Sequence, residues 1–340
     1  MKVFHTADVH LSLDHPERLD ALEEIVSICE REEADLLLIT GDLFDANADL
    51  EDLKTDLRSL FSDTYFDTLV IPGNHDKNAF RTEDFFGDDF YVLKEGPVES
   101  REYEELNVVG VPYTEEDFNT IVDDISEAYV DDKVNVLMLH CSLTGSSGGF
   151  GGEEKYLPVK PEELIRTGFD YVLAGHIHSS ATRKTFEETV FAYSGSPVSI
   201  SRSETGTRNI WKLNNNGLST VGLDSFNYLR NDKEILPGEE NEKLNEMTDF
   251  IEEKDLENAS LIVDLSGFTE RPVTEISEEF EKIMGEAQGF DLSIESLESV
   301  ESLVESDIYR EFKKKLKQKD FENKDKIEEK FLRGFSRDER

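Results

Sequence analysis

The first 230 residues alternate short, continuous apolar runs with stretches in which apolar residues recur at helical spacing. The run 36–39 has the length of a strand that is covered on both faces. The stretch after Pro16 instead repeats apolar residues every three or four positions, and a proline suits the first turn of a helix. This alternation predicts an α/β layered core. The predicted strands are 2–6, 35–40, 68–72, 106–112, 134–140 and 170–174, and the predicted helices begin near 16 and at 49.

The pattern changes between about 189 and 224, where three short apolar stretches follow one another without a helical stretch between them. The segment 214–217, Asn-Asn-Asn-Gly, separates two of these stretches and has the composition of a hairpin turn. We therefore expect antiparallel pairing in this part of the chain. The predicted strands are 190–193, 209–213 and 219–223.

The last third of the chain predicts a second, smaller unit. A polar and acidic stretch reads as a linker, the strand–helix–strand pattern of 259–297 follows it, and apolar positions at helical spacing continue over 306–333. The predicted division is a main domain over 1–228, a linker over 229–258, a small α/β domain over 259–305 and an amphipathic helical tail over 306–340.

A formal net charge of −41 says more about the surroundings of the chain than about its fold. An apolar content of 37% together with regular strand signals argues against a disordered acidic chain. An acidic surface of this kind indicates a halophilic protein from a high-salt cytoplasm, where screening weakens self-repulsion. The tail 306–340 differs, since it holds 12 Lys and Arg against 9 Asp and Glu. Because nucleic-acid binders normally show a basic face, the charge argues against DNA contact over most of the surface.

Cysteine usage indicates a cytoplasmic protein, and the lack of long apolar runs argues against a membrane-spanning one. Two cysteines, Cys29 and Cys141, give no basis for a disulfide framework. No run of 18 apolar residues occurs, so we predict no membrane-spanning segment and no membrane partner. The N-terminal residues begin directly as a strand and do not resemble a signal peptide.

Polar residues with candidate chemistry follow five of the predicted strands. Because layered α/β folds bind ligands at the carboxyl ends of their strands, five such clusters predict one shared site. The oxygen and nitrogen donors of the clusters suit manganese, iron or zinc, and no thiolate is required. The clusters are Asp8 and His10, Asp42 and Asp45, Asn74-His75-Asp76, His140, and His176 and His178.

Seven of these side chains are too many for one metal ion, whereas two ions about 3.5–4 Å apart could use all of them. In an extended backbone, residues two positions apart point to the same side, as in the pairs that begin at Asp8 and His176. Asp42, in a tight turn after Gly41, is our choice for the ligand shared by both ions. Each motif alone has an ordinary structural reading, but coincidence does not account for five of them at five strand ends.

The order of the motifs resembles the signature of the calcineurin-like metallophosphoesterases over residues 1 to about 200. The motifs are Asp-x-His, Gly-Asp-x-x-Asp, Gly-Asn-His-Asp, His and Gly-His-x-His. The resemblance implies a four-layer α/β/β/α sandwich as the catalytic domain, followed by a small α/β capping domain. It also implies two divalent metal ions, manganese in preference to iron or zinc, that activate a water for attack on phosphorus.

The resemblance further implies a role for each matching residue, with one aspartate shared between the metals. His75 would be the catalytic histidine that assists the leaving group, and Asp76 would orient His75. The first metal would be held by Asp8, His10, Asp42 and His178, and the second by Asp42, Asn74, His140 and His176.

Within the superfamily, the segments 5–11, 41–45 and 192–197 resemble the SbcD-type nucleases of double-strand-break repair. This resemblance implies a DNA exonuclease or endonuclease in DNA repair, a homodimer, and an SMC-like ABC ATPase as partner. Three departures weaken it: Asp45 stands where some archaeal relatives carry histidine, the segment after Asp45 lacks the prolines often seen there, and relatives that bind the ATPase usually have a longer tail. The alternatives are a phosphodiesterase or phosphatase for nucleotides or other small phosphoesters, and a non-catalytic scaffold, against which the complete ligand set argues.

Two further segments leave their interpretation open. The Gly/Ser stretch 145–152 could cradle a substrate phosphate through backbone N–H groups, or it could be a flexible loop. The lysine-rich run 313–319 could contact DNA phosphates, or it could form a solvated helix face.

Overall fold

The computed structural model describes residues 1–46, 50–81, 84–145, 156–254, 256–304, 306–318, 321 and 323–336. The chain divides into two compact units, Met1–Asn227 and Tyr228–Arg340. Of the Gly/Ser stretch considered above, all but Gly145 lies outside the described residues.

The first unit contains strands and helices that alternate along the chain, as the apolar pattern predicts. Its helices are α1 (Pro16–Arg31), α2 (Leu50–Phe61), α3 (Phe118–Glu127) and α4 (Pro161–Thr167). Its strands are β1 (Val3–Thr6), β2 (Leu36–Thr40), β3 (Asp67–Ile71), β4 (Phe90–Val92), β5 (Glu99–Glu102), β6 (Leu106–Gly110), β7 (Val134–His140), β8 (Ser142–Leu143), β9 (Pro158–Val159), β10 (Tyr171–Gly175), β11 (Thr182–Phe186), β12 (Thr189–Tyr193), β13 (Asn209–Asn214) and β14 (Gly217–Gly222).

Two six-stranded sheets form the centre of this unit, in the orders β14-β13-β1-β2-β3-β4 and β11-β12-β10-β7-β6-β5. The strands β1 to β4 are mutually parallel, and so are β6, β7, β10 and β12. The expected antiparallel pairing is confirmed for the β13–β14 hairpin. It is wrong for one side of β12, which runs parallel to β10 and antiparallel only to β11.

Alternate residues of the central strands are buried on opposite faces, and this produces four layers. In β2, Leu37 and Ile39 pack with the apolar stripe of α1 and α2, whereas Leu36 and Leu38 pack between the two sheets. In β7, residues 137 and 139 pack with α3 and α4, whereas 136 and 138 face the space between the sheets. Because the central strands are covered on both faces, they are mainly apolar, and β2 begins with a continuous apolar run. The expected α/β/β/α sandwich is confirmed.

The apolar pattern does not predict α3 and α4, which cover the second sheet. Asp117 caps α3 by accepting a hydrogen bond from the backbone N–H of Asn119 at 2.9 Å, and such a cap contributes about 1 kcal/mol. Ile121, Val122 and Ile125 of α3 are buried. Both helices are short, so their periodicity extends over too few turns to stand out in the sequence.

The second unit contains a small four-stranded sheet and helices. Its strands and helices are β15 (Asn227–Arg230), β16 (Lys233–Ile235), α5 (Glu240–Glu252), β17 (Ala259–Thr269), α6 (Val273–Met284), β18 (Gly289–Ser299), α7 (Glu301–Val304), α8 (Asp307–Gln318) and α9 (Lys324–Ser336). The long strand β17 pairs in parallel with β18, and its other partners are β15 and β16. Helices α5 and α6 bury an apolar face against this sheet.

The structure corrects the prediction of a linker over 229–258. Most of that segment is regular, with β16 and the 13-residue helix α5. Leu244, Met247 and Ile251 of α5 recur at helical spacing and are buried in the core of the second unit. The surrounding acidic residues dominate the composition of this segment and obscure the narrow apolar stripe of α5. In the part of the chain that the structure describes, no helix combines the length and apolar character needed to cross a bilayer.

Candidate metal centre

The five predicted clusters lie at the ends of β1, β2, β3, β7 and β10, none of which is an edge strand of its sheet. Four of the predicted ligands have a positive φ although they are not glycine, namely Asp8 (54°), His10 (52°), Asp42 (51°) and His176 (95°). Each such conformation costs about 1–3 kcal/mol, and such strain concentrates at functional sites. The backbone at these strand ends is therefore shaped for a purpose other than folding stability.

Donor atoms from four of the five strand ends converge on a small volume. Ligand atoms of Asp8, His10 and His178 lie within 4.8 Å of one another, and so do those of Asp8, Asp42 and His140. Oδ2 of Asp42 is 3.7 Å from Nε2 of His10 and 3.3 Å from Nε2 of His140. One carboxylate oxygen thus stands between a histidine from each of the two expected ligand sets.

His140 is fully buried at the end of β7, and one of its ring nitrogens is already engaged. Nδ1 is 2.9 Å from the carbonyl oxygen of Thr40, which can only accept, so Nδ1 carries a proton and donates it. Nε2 faces Oδ1 of Asn74 at 2.9 Å and Asp42. Burial opposes the charged imidazolium, but Asp42 and Asp8 outweigh it and raise the pKa of His140 to about 9. Because Nδ1 is bound to Thr40, Nε2 is the nitrogen directed at the cluster of oxygen donors.

His10 and His178 approach each other from the ends of different sheets. Their Nε2 atoms are 3.1 Å apart. Burial lowers the pKa of the His10 imidazole to about 3, with a further contribution from the neighbouring His178. Oδ1 of Asp8 lies 3.9 Å from Nε2 of His178. Two ring nitrogens and a carboxylate oxygen therefore point toward one position, where a cation would satisfy all three.

Asp8 and His176 connect the two sheets through a backbone contact. The backbone N–H of His176 is 2.9 Å from each of the carboxylate oxygens of Asp8. The imidazole of His176 lies with its ring centroid 5.4 Å from that of His140 and 5.0 Å from that of Tyr156. The structure thus brings His176 to the His140 side of the site, as the expected ligand sets require.

His75 is the most exposed of the predicted site residues. Its backbone N–H donates to Oδ1 of Asp42 at 2.8 Å, and its ring centroid lies 4.8 Å from that of His10. The anchored backbone keeps this imidazole at the edge of the cluster. Its ring nitrogens are outside both groups of converging ligand atoms.

The carboxylate of Asp76 is expected to orient His75. It is buried, and its Oδ1 accepts from the N–H of Gly73 at 2.6 Å. Its Oδ2 accepts from the N–H groups of Leu43 at 2.7 Å and Phe44 at 3.2 Å. Asp76 therefore joins the loops after β2 and β3 through backbone N–H groups, and its role toward His75 stays a prediction.

A comparison with protein families matches residues 1–180 to the calcineurin-like phosphoesterases. This match covers more than half of the chain, and it is independent of the geometry described above. The chain belongs to the calcineurin-like phosphoesterase family. It is therefore a metallophosphoesterase, a hydrolase that acts on phosphoester bonds.

Several solved structures are similar to this metallophosphoesterase over about two thirds of its length. The protein TT1561 of Thermus thermophilus is 13% identical, with a TM-score of 0.44 over 65% of this chain and 98% of that one. A dimetal phosphatase from Danio rerio is 10% identical, with a TM-score of 0.46 over 65% and 95%. Purple acid phosphatase PPD1 from yellow lupin (Lupinus luteus) seeds is 17% identical, with a TM-score of 0.45 over 62% and 49%. The family assignment rests on the sequence match and not on these distant likenesses.

The donor set of the phosphoesterase fits the dinuclear metal site typical of its family. Carboxylate oxygens, an amide oxygen and imidazole nitrogens converge, and they are the ligands that first-row divalent metals use in proteins. Nδ1 of His140 donates its proton to the carbonyl oxygen of Thr40, so Nε2 is the atom available as a ligand. Metal-binding histidines usually make such a hydrogen bond through their other ring nitrogen.

The glycines of two motifs are required by close approach of the chain. A Cβ atom at Gly73 would lie 2.2 Å from Oδ1 of Asp42, and one at Gly175 would lie 2.1 Å from the carbonyl oxygen of Thr40. Both distances are shorter than any real Cβ contact, so only glycine lets the strand ends come together. These glycines therefore set the spacing between the ligands.

Sequence reasoning missed two groups that support the ligands. Arg18 is buried and donates to the carbonyl oxygen of His10 at 2.7 Å and to Asp45 at 3.1 Å. Asp45 thus supports the loop after β1 through Arg18. Glu204 lies with its Oε1 3.5 Å from Nδ1 of His178. Neither Arg18 nor Glu204 belongs to a motif, so no local signal indicated them.

Proposed function

We propose that this phosphoesterase holds two divalent metal ions, Mn²⁺ in preference to Fe²⁺ or Zn²⁺, and hydrolyses phosphodiester bonds of DNA. The observation that carries the two-metal part is the position of the Asp42 carboxylate between the Nε2 atoms of His10 and His140. A carboxylate between two imidazole ligands is suited to bridge two cations. The proposed ligands are Asp8, His10, Asp42 and His178 for one ion and Asp42, Asn74, His140 and His176 for the other.

When bound, such a pair of ions would lower the pKa of a water and neutralise charge on the phosphate oxygens. The residues of the chain supply the fixed geometry. Thr40 holds His140 through Nδ1, and the backbone N–H of His176 holds Asp8. Ligands that are held before substrate arrives need no reorganisation during the reaction.

His75 is proposed to assist the leaving group. Its imidazole is exposed at the edge of the cluster and is not required as a ligand. The backbone of His75 is fixed by Asp42, so the ring stays near the reacting phosphate. It would donate a proton to the departing oxygen, and general acid catalysis of this kind contributes about 10²–10⁴-fold.

DNA as substrate is supported by the resemblance of the segments 5–11, 41–45 and 192–197 to SbcD-type nucleases. The exposure of His75 supports it as well, because a polymer needs open access to the leaving-group side. We include in this proposal a role in DNA repair, a homodimer and an SMC-like ABC ATPase partner. The charge of −41 opposes approach to DNA, so we expect activity on DNA to increase with salt.

The same charge supports a second candidate function, the hydrolysis of nucleotides or other small phosphoesters. A small substrate needs only the local site and not an extended basic surface. In this case a phosphodiesterase or phosphatase would act on substrates that carry fewer charges than DNA. Both candidate functions need the full set of metal ligands, so they differ in substrate and not in metal chemistry.

Parallel assays on DNA and on small esters distinguish the two functions. End-labelled single-stranded and duplex DNA, a chromogenic diester and a chromogenic monoester are incubated with Mn²⁺ at low and at molar salt. The Asp42→Asn variant reports background hydrolysis, and Glu188→Gln, which changes an exposed turn residue, is the matched control. Cleavage of DNA by the wild type and by Glu188→Gln, but not by Asp42→Asn, supports the nuclease. Turnover of the small esters alone at every salt concentration contradicts it.

A further inference from the structure

The segment 194–208 encloses the backbone of the ligand His178. Arg208 is 1% exposed, and its guanidinium donates to the carbonyl oxygens of His178 at 2.7 Å, Ser196 at 3.1 Å and Glu204 at 3.2 Å. The backbone N–H of Ser196 also donates to the His178 carbonyl at 3.3 Å. The buried Arg208 guanidinium therefore links the backbone of His178 to the backbone of Ser196 and Glu204.

Close packing at Gly195 fixes the same two stretches of chain. Gly195 has a φ of 72°, and a Cβ atom there would lie 2.0 Å from the carbonyl oxygen of Ser179. A side chain would therefore push the segment away from the ligand-bearing loop. This requirement gives a physical reason for glycine at position 195.

Glu204 is held within this enclosure by several donors. Its Oε2 accepts from the backbone N–H of Ile200 at 2.8 Å. Its Oε1 accepts from the hydroxyl of Ser201 at 2.9 Å. Oε1 also lies 3.5 Å from Nδ1 of His178, so the carboxylate faces the second ring nitrogen of this imidazole. The carboxylate has a fixed position before any ligand binds.

We propose that Glu204 is a positioning residue for His178, which accepts the Nδ1 proton and directs Nε2 toward the metal site. A neutral imidazole carries one proton, so a proton held on Nδ1 leaves the lone pair on Nε2. Nε2 faces Oδ1 of Asp8 at 3.9 Å. This inference rests on the proposed two-metal function.

The two sheets direct a histidine in the same way but with different acceptors. His140 donates Nδ1–H to the neutral carbonyl of Thr40, whereas His178 donates to the charged Glu204. A carboxylate acceptor raises the basicity of the ligand nitrogen, and loss of such a partner typically weakens metal affinity about 10- to 100-fold. Removal of Glu204 therefore weakens the site that contains His178 more than the other site.

The test is a calorimetric titration of the full chain with Mn²⁺. We expect two bound ions in the wild type, and in Glu204→Ala about 10- to 100-fold weaker binding of one ion. Glu204→Gln keeps an acceptor oxygen without the charge and should lose less. Glu188→Gln, which changes an exposed carboxylate of the β11–β12 turn, should bind as the wild type does.

A double-mutant cycle with His178→Asn separates positioning from a general structural effect. If Glu204 acts through His178, Glu204→Ala in the His178→Asn background causes no further loss of affinity. If Glu204→Ala causes the same loss of affinity in the His178→Asn background as in the wild type, the inference is overturned. Wild-type affinity in both Glu204→Ala and Glu204→Gln overturns it as well. Thermal melts of the metal-free variants, followed by circular dichroism, identify any variant that fails to fold. If Glu204→Ala fails to fold, the Mn²⁺ affinity of Glu204→Gln tests the inference instead. Fewer than two Mn²⁺ bound by the wild type would instead contradict the two-metal function.

Discussion

The two units of the chain bury charged side chains in different ways. In the second unit, Lys313 donates to both carboxylate oxygens of Glu328, at 2.5 and 2.6 Å, and the Tyr309 hydroxyl also donates to it. In the first unit, the carboxylates of Asp8 and Asp42 face histidine rings and backbone N–H groups. The Glu328 carboxylate thus has a complete set of partners, whereas the carboxylates of Asp8 and Asp42 converge with histidine nitrogens on a common point.

This difference indicates which buried charges serve the fold and which serve chemistry. Burial of a carboxylate costs several kcal/mol unless ion pairs and hydrogen bonds compensate it. The second unit provides that compensation within its own side chains. The first unit provides it in part and leaves Nε2 of His10 and Nε2 of His178 directed at each other across 3.1 Å. We expect cations to complete the first arrangement, so substitutions in the two units should affect different measurements.

The largest effect is expected for Asp42→Asn. The substitution removes the charge between His10 and His140 with little change in volume, so both metal sites lose a ligand. Turnover of a small diester should fall by about 10³-fold or more, and calorimetry should show loss of Mn²⁺ binding. Turnover within about tenfold of the wild type would break the assignment of this carboxylate to the metals.

A smaller and different effect is expected for His75→Ala. The side chain lies at the edge of the cluster, so metal affinity should stay close to that of the wild type. Turnover of a diester with a poor leaving group should fall by about 10²–10⁴-fold, because the departing oxygen loses its proton donor. A diester with a nitrophenolate leaving group needs less assistance and should be affected less. Equal loss on both substrates would contradict a role at the leaving group.

In the second unit, Glu328→Gln should change stability and not catalysis. The variant leaves Lys313 without its charged partner, and this should lower the free energy of unfolding by about 1–3 kcal/mol. Turnover of the small diester per folded molecule should equal that of the wild type. Urea denaturation followed by circular dichroism measures the first quantity. A loss of Mn²⁺ affinity in Glu328→Gln would contradict the assignment of this buried charge to stability alone.

The smallest effect concerns the two buried thiols of the first unit. Burial raises the pKa of Cys29 and of Cys141 from 9.0 to about 12. The folded chain therefore binds these protons more tightly than the unfolded chain, and stability should fall as the pH rises from about 9 toward 12. A disulfide reagent at mildly alkaline pH should modify neither thiol in the native protein and both after denaturation. Rapid labelling of the native protein would show that this core opens readily.

Much of the first unit could be predicted because its strands are covered on both faces. A continuous apolar run such as that of β2 fixes both the strand and the position of the polar residues that follow it. The partner of His178 could not be predicted in this way, because Glu204 lies far along the chain and approaches only through the tertiary fold. Helix α5 was missed for another reason: its apolar stripe is narrow, and acidic residues surround it.

The most direct test of the two-metal account is a crystal structure with diffraction data collected at the manganese absorption edge, from crystals at saturating Mn²⁺. The account predicts two anomalous peaks about 3.5–4 Å apart, with the Asp42 carboxylate in contact with both. His10 and His178 should lie beside one peak, and His140 and Asn74 beside the other. No peak at these side chains, or one peak without contact to Asp42, would contradict the account.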